Sequence, residues 1–305
     1  MVNNMKITVL TTTYNRGRML NKIYTSLVNQ IDKDFQWLII DDGSQDNTKE
    51  IVHEFLNSKN EFQIDYYWKN NGGKHTALNY AHQYITGDIV VIVDSDDILV
   101  QNGISLIKSA WREIYQDSNY GTVVFERVDS NGEKLGEFPD SYYNGSDLDY
   151  RIKKGIKGDF SETIRTEVLK EFPFPSFKSP EKFFSEGWLW TNVAMKYKTI
   201  NLKENLVIGG YQEGGLTKSG REMRFRSPVG LMMYYKQIKS LRQVPLTTRL
   251  KSTMAFNVYK IFNKNDVHTM TNAEIQQMFG NMTILEMLLY PPAQIFYYYY
   301  KIKMR

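Results

Sequence analysis

The chain has no cysteine. Disulfides and thiolate metal sites are therefore excluded, which fits a reducing cytoplasm. Histidine is scarce too. His53, His75, His82 and His268 stand far apart, so a histidine-rich zinc site is not expected. No stretch reaches about 18 consecutive apolar residues, so no transmembrane helix is expected. Met1 to Leu10 is too short and too polar to read as a signal peptide. Glycine (20) and proline (8) are few and 42% of the residues are hydrophobic, the composition of a globular rather than a disordered chain. A length of 305 residues suits one large domain or two small ones. The net charge of +4 is too mild to point to nucleic acid. No repeat of fixed period is visible. Two nucleotide fingerprints are also missing. Thr12-Thr13-Tyr14-Asn15-Arg16-Gly17 is not Gly-x-Gly-x-x-Gly, and Gly72-Gly73-Lys74-His75 is not a phosphate-binding P-loop.

The most informative stretch present is Ile89-Val90-Val91-Ile92-Val93-Asp94-Ser95-Asp96-Asp97. Five apolar, mostly β-branched residues run into three carboxylates. The run reads as a strand buried on both faces, with its acids at the carboxyl edge of a sheet, where ligands of open α/β sheets bind. Oxygen-only ligands suit Mg²⁺ or Mn²⁺, and those cations suit a diphosphate. Three carboxylates alone would equally suit an acidic turn or helix cap.

The preceding residues add context. Strands are expected at Lys6–Thr11, Phe35–Ile40 and Phe62–Trp68. Helical spacing marks Met19–Gln30, a helix capped by Asp46-Asn47-Thr48, and Lys74–Ile85. Strand and helix thus alternate three times before the strand at Ile89, the pattern of a parallel sheet with crossover helices. The strand ends carry Thr12-Thr13-Tyr14-Asn15, Asp41-Asp42, Asn70-Asn71 and Asp94-Ser95-Asp96-Asp97. Paired acids at two strand ends repel unless a cation or donor is present.

In order and spacing, these segments resemble the inverting family 2 glycosyltransferases of the GT-A fold. The matching pieces are Thr12–Arg16, Asp41-Asp42-Gly43-Ser44-Gln45-Asp46-Asn47-Thr48, Asn71-Gly72-Gly73 with Ala77-Leu78-Asn79, and Asp94-Ser95-Asp96-Asp97. The resemblance spans roughly residues 5–215. Thr12 stands where relatives usually carry proline, and Lys74 places a cation where many have a small residue. The resemblance implies a nucleotide-diphosphate sugar donor, UDP-linked by family habit, and Mn²⁺ or Mg²⁺ as cofactor. Thr12, Tyr14, Asp41 and Asp42 are implied to hold base and ribose, Lys74 to meet the base or diphosphate, Asp94 to face the ribose and Asp96 the metal. Asp97 would assist or cap the next helix.

Further on, a helix is expected at Asn102–Tyr115, a strand at Thr122–Val128, and a hairpin turn at Asp129-Ser130-Asn131-Gly132 leading into Glu133–Glu137. Asp140–Asp149 shows no clear element and suits a loop covering the donor. Gly158–Arg165 leads into a short helix ending near Leu169, and Leu206–Gly210 reads as a closing strand. An inverting displacement needs a carboxylate at the acceptor hydroxyl. By the resemblance that general base is Glu186, with Asp159, Glu162 and Glu181 as rivals. Trp188 and Trp190 offer sugar-stacking faces or core packing. Tyr211–Thr217 resembles a late loop near the donor phosphates, with Lys218 and Arg221 as cations able to close on them.

Between Leu216 and Phe262 there are ten Lys/Arg and one acid, Glu222. Met232–Phe262 looks helical, and the aromatic, basic end is interrupted by Pro291-Pro292. This tail suits either a membrane surface near a lipid-linked acceptor, or a packed subdomain or dimer contact. The expectation is an α/β GT-A fold, a mostly parallel sheet flanked by helices, with a helical C-terminal extension. Residues 1–215 form the catalytic domain (1–100 for the nucleotide, 101–215 for the acceptor) and 216–305 the extension. The expected activity is transfer of a sugar to a glycan or lipid-linked acceptor of a bacterial-type surface glycan, in the cytoplasm or at its membrane face, without nucleic acid. A sugar nucleotidyltransferase and a non-catalytic nucleotide-sugar-binding module are the alternatives.

Overall fold

Short β-branched runs followed by amphipathic segments leave the first hundred residues little choice but strand–helix alternation. In the computed structural model they form β1 (Ile7–Thr13), α1 (Leu20–Val28), β2 (Phe35–Asp41), α2 (Thr48–Asn57), β3 (Gln63–Trp68), α3 (Lys74–Ala81) and β4 (Ile89–Ile92). Then come β5 (Ile98–Leu99), α4 (Gly103–Arg112), β6 (Tyr120–Val128), β7 (Ser161–Arg165), α5 (Thr166–Glu171), α6 (Gly187–Lys196) and β8 (Lys198–Ile208). The structure describes residues 5–136, 138, 148, 156, 158–177, 181–209 and 222–303. Contacts group the chain into two units, Met1–Phe174 with Leu189–Tyr211, and Pro175–Trp188 with Gln212–Arg305. In this grouping Pro175–Trp188 goes with the C-terminal helices.

The sheet of the first unit has the order β3-β2-β1-β4-β7-β6-β8-β5. β1, β2, β3 and β4 run parallel, with Thr13 opposite Asp41, Asp41 opposite Trp68, and Leu10 opposite Ile92. Their carboxyl ends therefore share one edge. β7 is antiparallel to both β4 and β6, and β8 is parallel to β6. The architecture is the expected mixed, mostly parallel sheet with helices around it.

Several elements depart from the sequence reading. β7 was not expected as a strand because Ser161-Glu162-Thr163-Ile164-Arg165 looks polar. Its polar groups are satisfied inside: Thr163 donates to the Val123 carbonyl at 2.8 Å and accepts from Trp111 Nε1 at 2.9 Å. Arg165 is also buried. It donates to the carbonyls of Tyr120, Ile114, Tyr115 and Asp117 beyond α4, and its guanidinium stacks on Trp111 and Tyr115. One buried cation thus ties the turn that follows α4 to the start of β6. β8 begins at Lys198, earlier than expected, and α3 ends at Ala81, four residues sooner. Where the second strand of a hairpin was expected, the described residues carry isolated bridges, Val128 to Lys134 and Gly136 to Gly158, and Asp129 N and Leu135 N donate across the turn to the carbonyls of Glu133 and Arg127. The N–H groups of Asn131 and Glu133 go instead to the Asp129 carboxylate. Asp140–Asp149 lies outside the described residues except for Leu148.

The second unit is helical: α7 (Pro228–Ser240), α8 (Leu246–Phe262), α9 (Asn272–Phe279) and α10 (Ile284–Lys303). Its core joins Phe225, Met232, Phe256, Phe262, Ile275 and Tyr297. The proline pair does not break the chain here. α10 runs through Pro291 and Pro292 without interruption. Each proline costs a backbone bond. Buried Glu286, Ala293 and Tyr297 recur along one side of α10, which holds the helix against α8, and Glu286 pairs with Lys239.

His75, in the first turn of α3, is 3% exposed and lies edge-on to Phe174. Burial pushes its imidazole down to about 4 from 6.5. The folded value lies below the unfolded one, so His75 contributes stability above pH 6.5 that is lost as pH falls through 4. The difference corresponds to about 3 kcal/mol. Denaturant titrations from pH 7 to 4 should show His75→Gln losing less stability than the wild type; identical losses would mean His75 titrates normally.

Candidate active site

The four parallel strand ends bring Thr12 to Asn15, Asp41 and Asp42, Asn70 to Lys74, and Asp94 to Asp97 to one edge of the sheet. Backbone geometry ties the first two loops together. Asn15 adopts a left-handed φ of 52°. Its N–H donates to Ser44 Oγ at 2.9 Å, and its side-chain oxygen accepts from Gln45 N at 2.8 Å. Tyr14 is left 44% exposed, with a ring face open to solvent. Thr12 is half-buried beside it.

The β2 acids are buried and bonded. Asp41 accepts from Ser44 N at 2.8 Å and from the Tyr66 hydroxyl at 2.7 Å. Burial and Asp41 together push the Tyr66 phenol well above its ordinary range. Asp42 takes four donors: Lys69 Nζ at 2.6 Å, Asn71 Nδ2 at 3.1 Å, Gly72 N at 3.0 Å and Gly73 N at 2.7 Å. Four donors fill the acceptor capacity of a carboxylate. Asp42 therefore shapes the loop between β3 and α3. Gly43 (φ 87°) lets that loop close, since a Cβ there would sit 2.7 Å from Asn71 N.

After β4, each acid meets a cation from a different element. Asp94 pairs with Lys74 Nζ at 2.6 Å, Asp96 with Arg16 Nη1 at 3.3 Å, and Asp97 with Arg127. The Lys74 charge holds the Asp94 carboxyl below its ordinary range. Burial, with Asp94 and Asp96 nearby, pushes Asp97 up to about 7 against the pull of Arg127. The Asp97–Arg127 pair occupies space that only glycine leaves at position 209. A Cβ there would lie 2.3 Å from Asp97 Oδ1.

The set can be tested against a divalent cation. Mg²⁺-like ions are commonly held by one or two carboxylates and completed by substrate phosphates. Asp96 supplies one such carboxylate, with Asp94 two positions away, and each is partly open to solvent. Among the described residues no group of three or more His, Cys, Asp or Glu forms a closed metal cluster. The residues therefore fit a cation shared with a diphosphate, not a self-contained metal centre.

Glu186 belongs to the second unit, half-buried just before the first residue of α6. Of its rivals, Glu181 is committed elsewhere. Its two oxygens accept from Val229 N at 2.8 Å and Gly230 N at 2.7 Å, and burial pushes its carboxyl up to about 7. Asp159 is exposed and Glu162 lies on β7. Trp188 packs edge-on against Phe184, and Trp190 is half-buried within α6. Tyr211–Thr217, Lys218 and Arg221 lie outside the described residues. Sequence reasoning missed Arg16, Lys69, Arg127 and Gly209, whose partners lie between 27 and 112 positions away. The one local signal was repulsion among the acids, which required counter-charges from somewhere.

Removing one member of a buried ion pair costs about 3–5 kcal/mol. Asp42→Ala, which strands Lys69 and two backbone N–H groups, should lose that much stability in chemical denaturation. A loss under 1 kcal/mol would mean the loop keeps its form without Asp42.

The chain is similar to several known proteins. An uncharacterised glycosyltransferase of Mycoplasma genitalium is 28% identical over 63% of this chain and 61% of its own length. Its Mycoplasma pneumoniae homologue is matched over 40% of its length, so the chain spans between two-fifths and three-fifths of these relatives. The GalNAc(5)-diNAcBac-PP-undecaprenol beta-1,3-glucosyltransferase of Campylobacter jejuni is 23% identical over 84% of the chain and 81% of its own length. In fold, the chain resembles Staphylococcus aureus TarS in complex with UDP, with TM-score 0.60 and 16% identity over 96% of this chain and 91% of that one. It also resembles the Pyrobaculum calidifontis mannosyltransferase PcManGT in complex with GDP-Man and Mn²⁺, with TM-score 0.57 and 17% identity over 96% and 83%. The model of Glycosyl transferase family 2 matches residues 8–172, more than half of the sequence, and the chain belongs to that family.

Proposed function

We propose that this chain is an inverting glycosyltransferase that moves a sugar from a nucleoside-diphosphate donor, UDP-linked, to a glycan or lipid-linked oligosaccharide of a bacterial surface polymer. The observation that carries the reading is the gathering of four polar strand ends, three of them bearing charged groups, at one sheet edge in a family 2 chain. TarS with UDP supports the donor base, PcManGT with Mn²⁺ the metal, and the Campylobacter enzyme's name a lipid-linked acceptor.

In this reading the exposed ring of Tyr14 stacks on the base and Thr12 contacts base and ribose, while Asp41, buried and bonded to Ser44 N and the Tyr66 hydroxyl, fixes the loop behind them. Asp42 holds the loop that receives them. Asp94 faces the ribose and Asp96 the cation, whose chemistry is to offset charge on the departing diphosphate. Lys74 and Arg16 lie beside these two acids and supply further positive charge for the phosphates. Glu186 takes the proton of the acceptor hydroxyl as that oxygen bonds to the anomeric carbon and the nucleoside diphosphate departs.

A second feature concerns location. Among the described residues sixteen large hydrophobic side chains are exposed and eight of them sit on α10, so this helix carries an apolar outer face. Ile284, Leu288, Ile295, Tyr299 and Ile302 recur at helical spacing opposite the packed Glu286, Ala293 and Tyr297. Eleven Lys/Arg against four Asp/Glu between 222 and 303 give this region a positive balance. Among the described residues no helix is long and apolar enough to cross a membrane. These features favour a seat on an anionic membrane surface, with the helix lying in the interface.

Two experiments test the proposal. A thermal-shift panel of UDP, GDP, dTDP and CMP, each with and without Mn²⁺, should give its largest shift with UDP and Mn²⁺ together. Asp96→Ala should abolish the metal-dependent part, while Glu186→Gln keeps donor binding and loses transfer by at least about 100-fold, at the low end for a general base. Binding by Asp96→Ala that keeps its full Mn²⁺ dependence, or wild-type transfer by Glu186→Gln, overturns the assignment. Second, the protein should float with phosphatidylglycerol vesicles at low salt and lose binding on Leu288→Glu with Ile295→Glu. Protein that stays at the bottom of the gradient rules the membrane seat out.

A further inference from the structure

Within the second unit, the segment that carries Glu186 is fastened to one helix at four points. The α7 N-terminus would ordinarily leave several N–H groups without partners. Pro228, its first residue, has none to offer, and the Ser227 side chain makes no capping bond. Glu181 fills the gap from 47 positions upstream, counting to Pro228, by accepting from Val229 N at 2.8 Å and Gly230 N at 2.7 Å. Ser227 Oγ in turn accepts from Phe183 N at 3.1 Å. Phe184 lies so close to α7 that a Cβ at Gly230 would sit 2.8 Å from its ring. At the next turn of α7, a Cβ at Gly187 would lie 3.1 Å from the Tyr234 ring. Contacts at Phe184 and Gly187 thus bracket Ser185 and Glu186.

We propose that Glu181 is a positioning residue: with the close approach at Gly230, it fixes the Glu186 segment on α7, so the C-terminal helical unit sets where the base stands. This rests on Glu186 being the base. The alternative is that Glu181 is only a helix cap contributing stability. A cap alone would leave the chemical step untouched in protein that remains folded. Misplacing a reacting group by about 1 Å costs on the order of 100-fold in rate.

The test uses the full chain and four variants, Glu181→Ala, Glu181→Gln, Gly230→Ala and Glu186→Gln. Rates are read as UDP release from UDP-glucose, UDP-galactose, UDP-GlcNAc and UDP-GalNAc with Mn²⁺, the fastest being carried forward. UDP affinity is read by calorimetry and amide exchange across residues 181–188 by mass spectrometry. Gly230→Ala leaves every charge in place and pushes on the Phe184 ring and the Phe183 carbonyl, so it guards against a Glu181 variant that fails to fold. The expected result is a 10- to 100-fold lower kcat for Glu181→Ala and Gly230→Ala, with KM for donor and Kd for UDP unchanged and exchange in 183–188 faster. Glu181→Gln, whose amide oxygen still accepts one N–H, should recover part of the loss. In the Glu186→Gln background, Glu181→Ala should cost nothing further. Wild-type kcat in folded Gly230→Ala and Glu181→Ala, alongside an impaired Glu186→Gln, overturns the positioning role and leaves the function intact. A fully active Glu186→Gln, or no UDP release from any donor, instead overturns the functional reading on which it rests.

Discussion

Five aspartates at the carboxyl edge of one sheet can coexist only because each is met by donors. Like charges this close would otherwise push one another toward neutrality. Lys69, Lys74, Arg16 and Arg127 answer Asp42, Asp94, Asp96 and Asp97, while Asp41 is held by a backbone N–H and a phenol. The loops after β1, β2, β3 and β4 take their shapes from these bonds. The two pairs also differ in kind. The acids after β2 are turned inward and spent on architecture. Asp94 and Asp96 after β4 keep contact with solvent and can exchange partners.

The second unit is held together by a different force. Its helices bury an aromatic core of their own. The same helices present a bare N-terminus whose N–H groups recruit Glu181, and with it the segment ending at Glu186. Electrostatics therefore organises the nucleotide edge, and helix capping organises the segment of the candidate base.

Much of the first unit was legible in the sequence. Apolar runs and helical spacing between Lys6 and Val93 mark strands and helices whose register is a matter of short crossovers. β7 was hidden because its side chains are polar, and only long-range bonds to Trp111 and Val123 explain how they are buried. The uninterrupted α10 was hidden for the opposite reason: local propensity speaks for a break at Pro291-Pro292, and packing along the other side of the helix overrules it. At the site, the motif residues could be named from sequence but not their partners. Nothing near Asp42 announces that Lys69 will fill it, and nothing near Asp97 that Arg127 will lie beside it in the space left by Gly209. Charge balance says that counter-charges must exist; only the fold says which.

α10 has a consequence for anyone handling the protein. One side of the helix closes the aromatic core of its unit while the other lies open. The apolar surface therefore cannot be trimmed away to gain solubility. Deleting Ile284–Lys303 would trade one greasy face for another, the uncovered rings of Phe225 and Phe262, and would release Lys239 from Glu286. Detergent or polar substitution along Leu288 and Ile295 is the gentler route, because it alters the outer face and leaves the inner one closed.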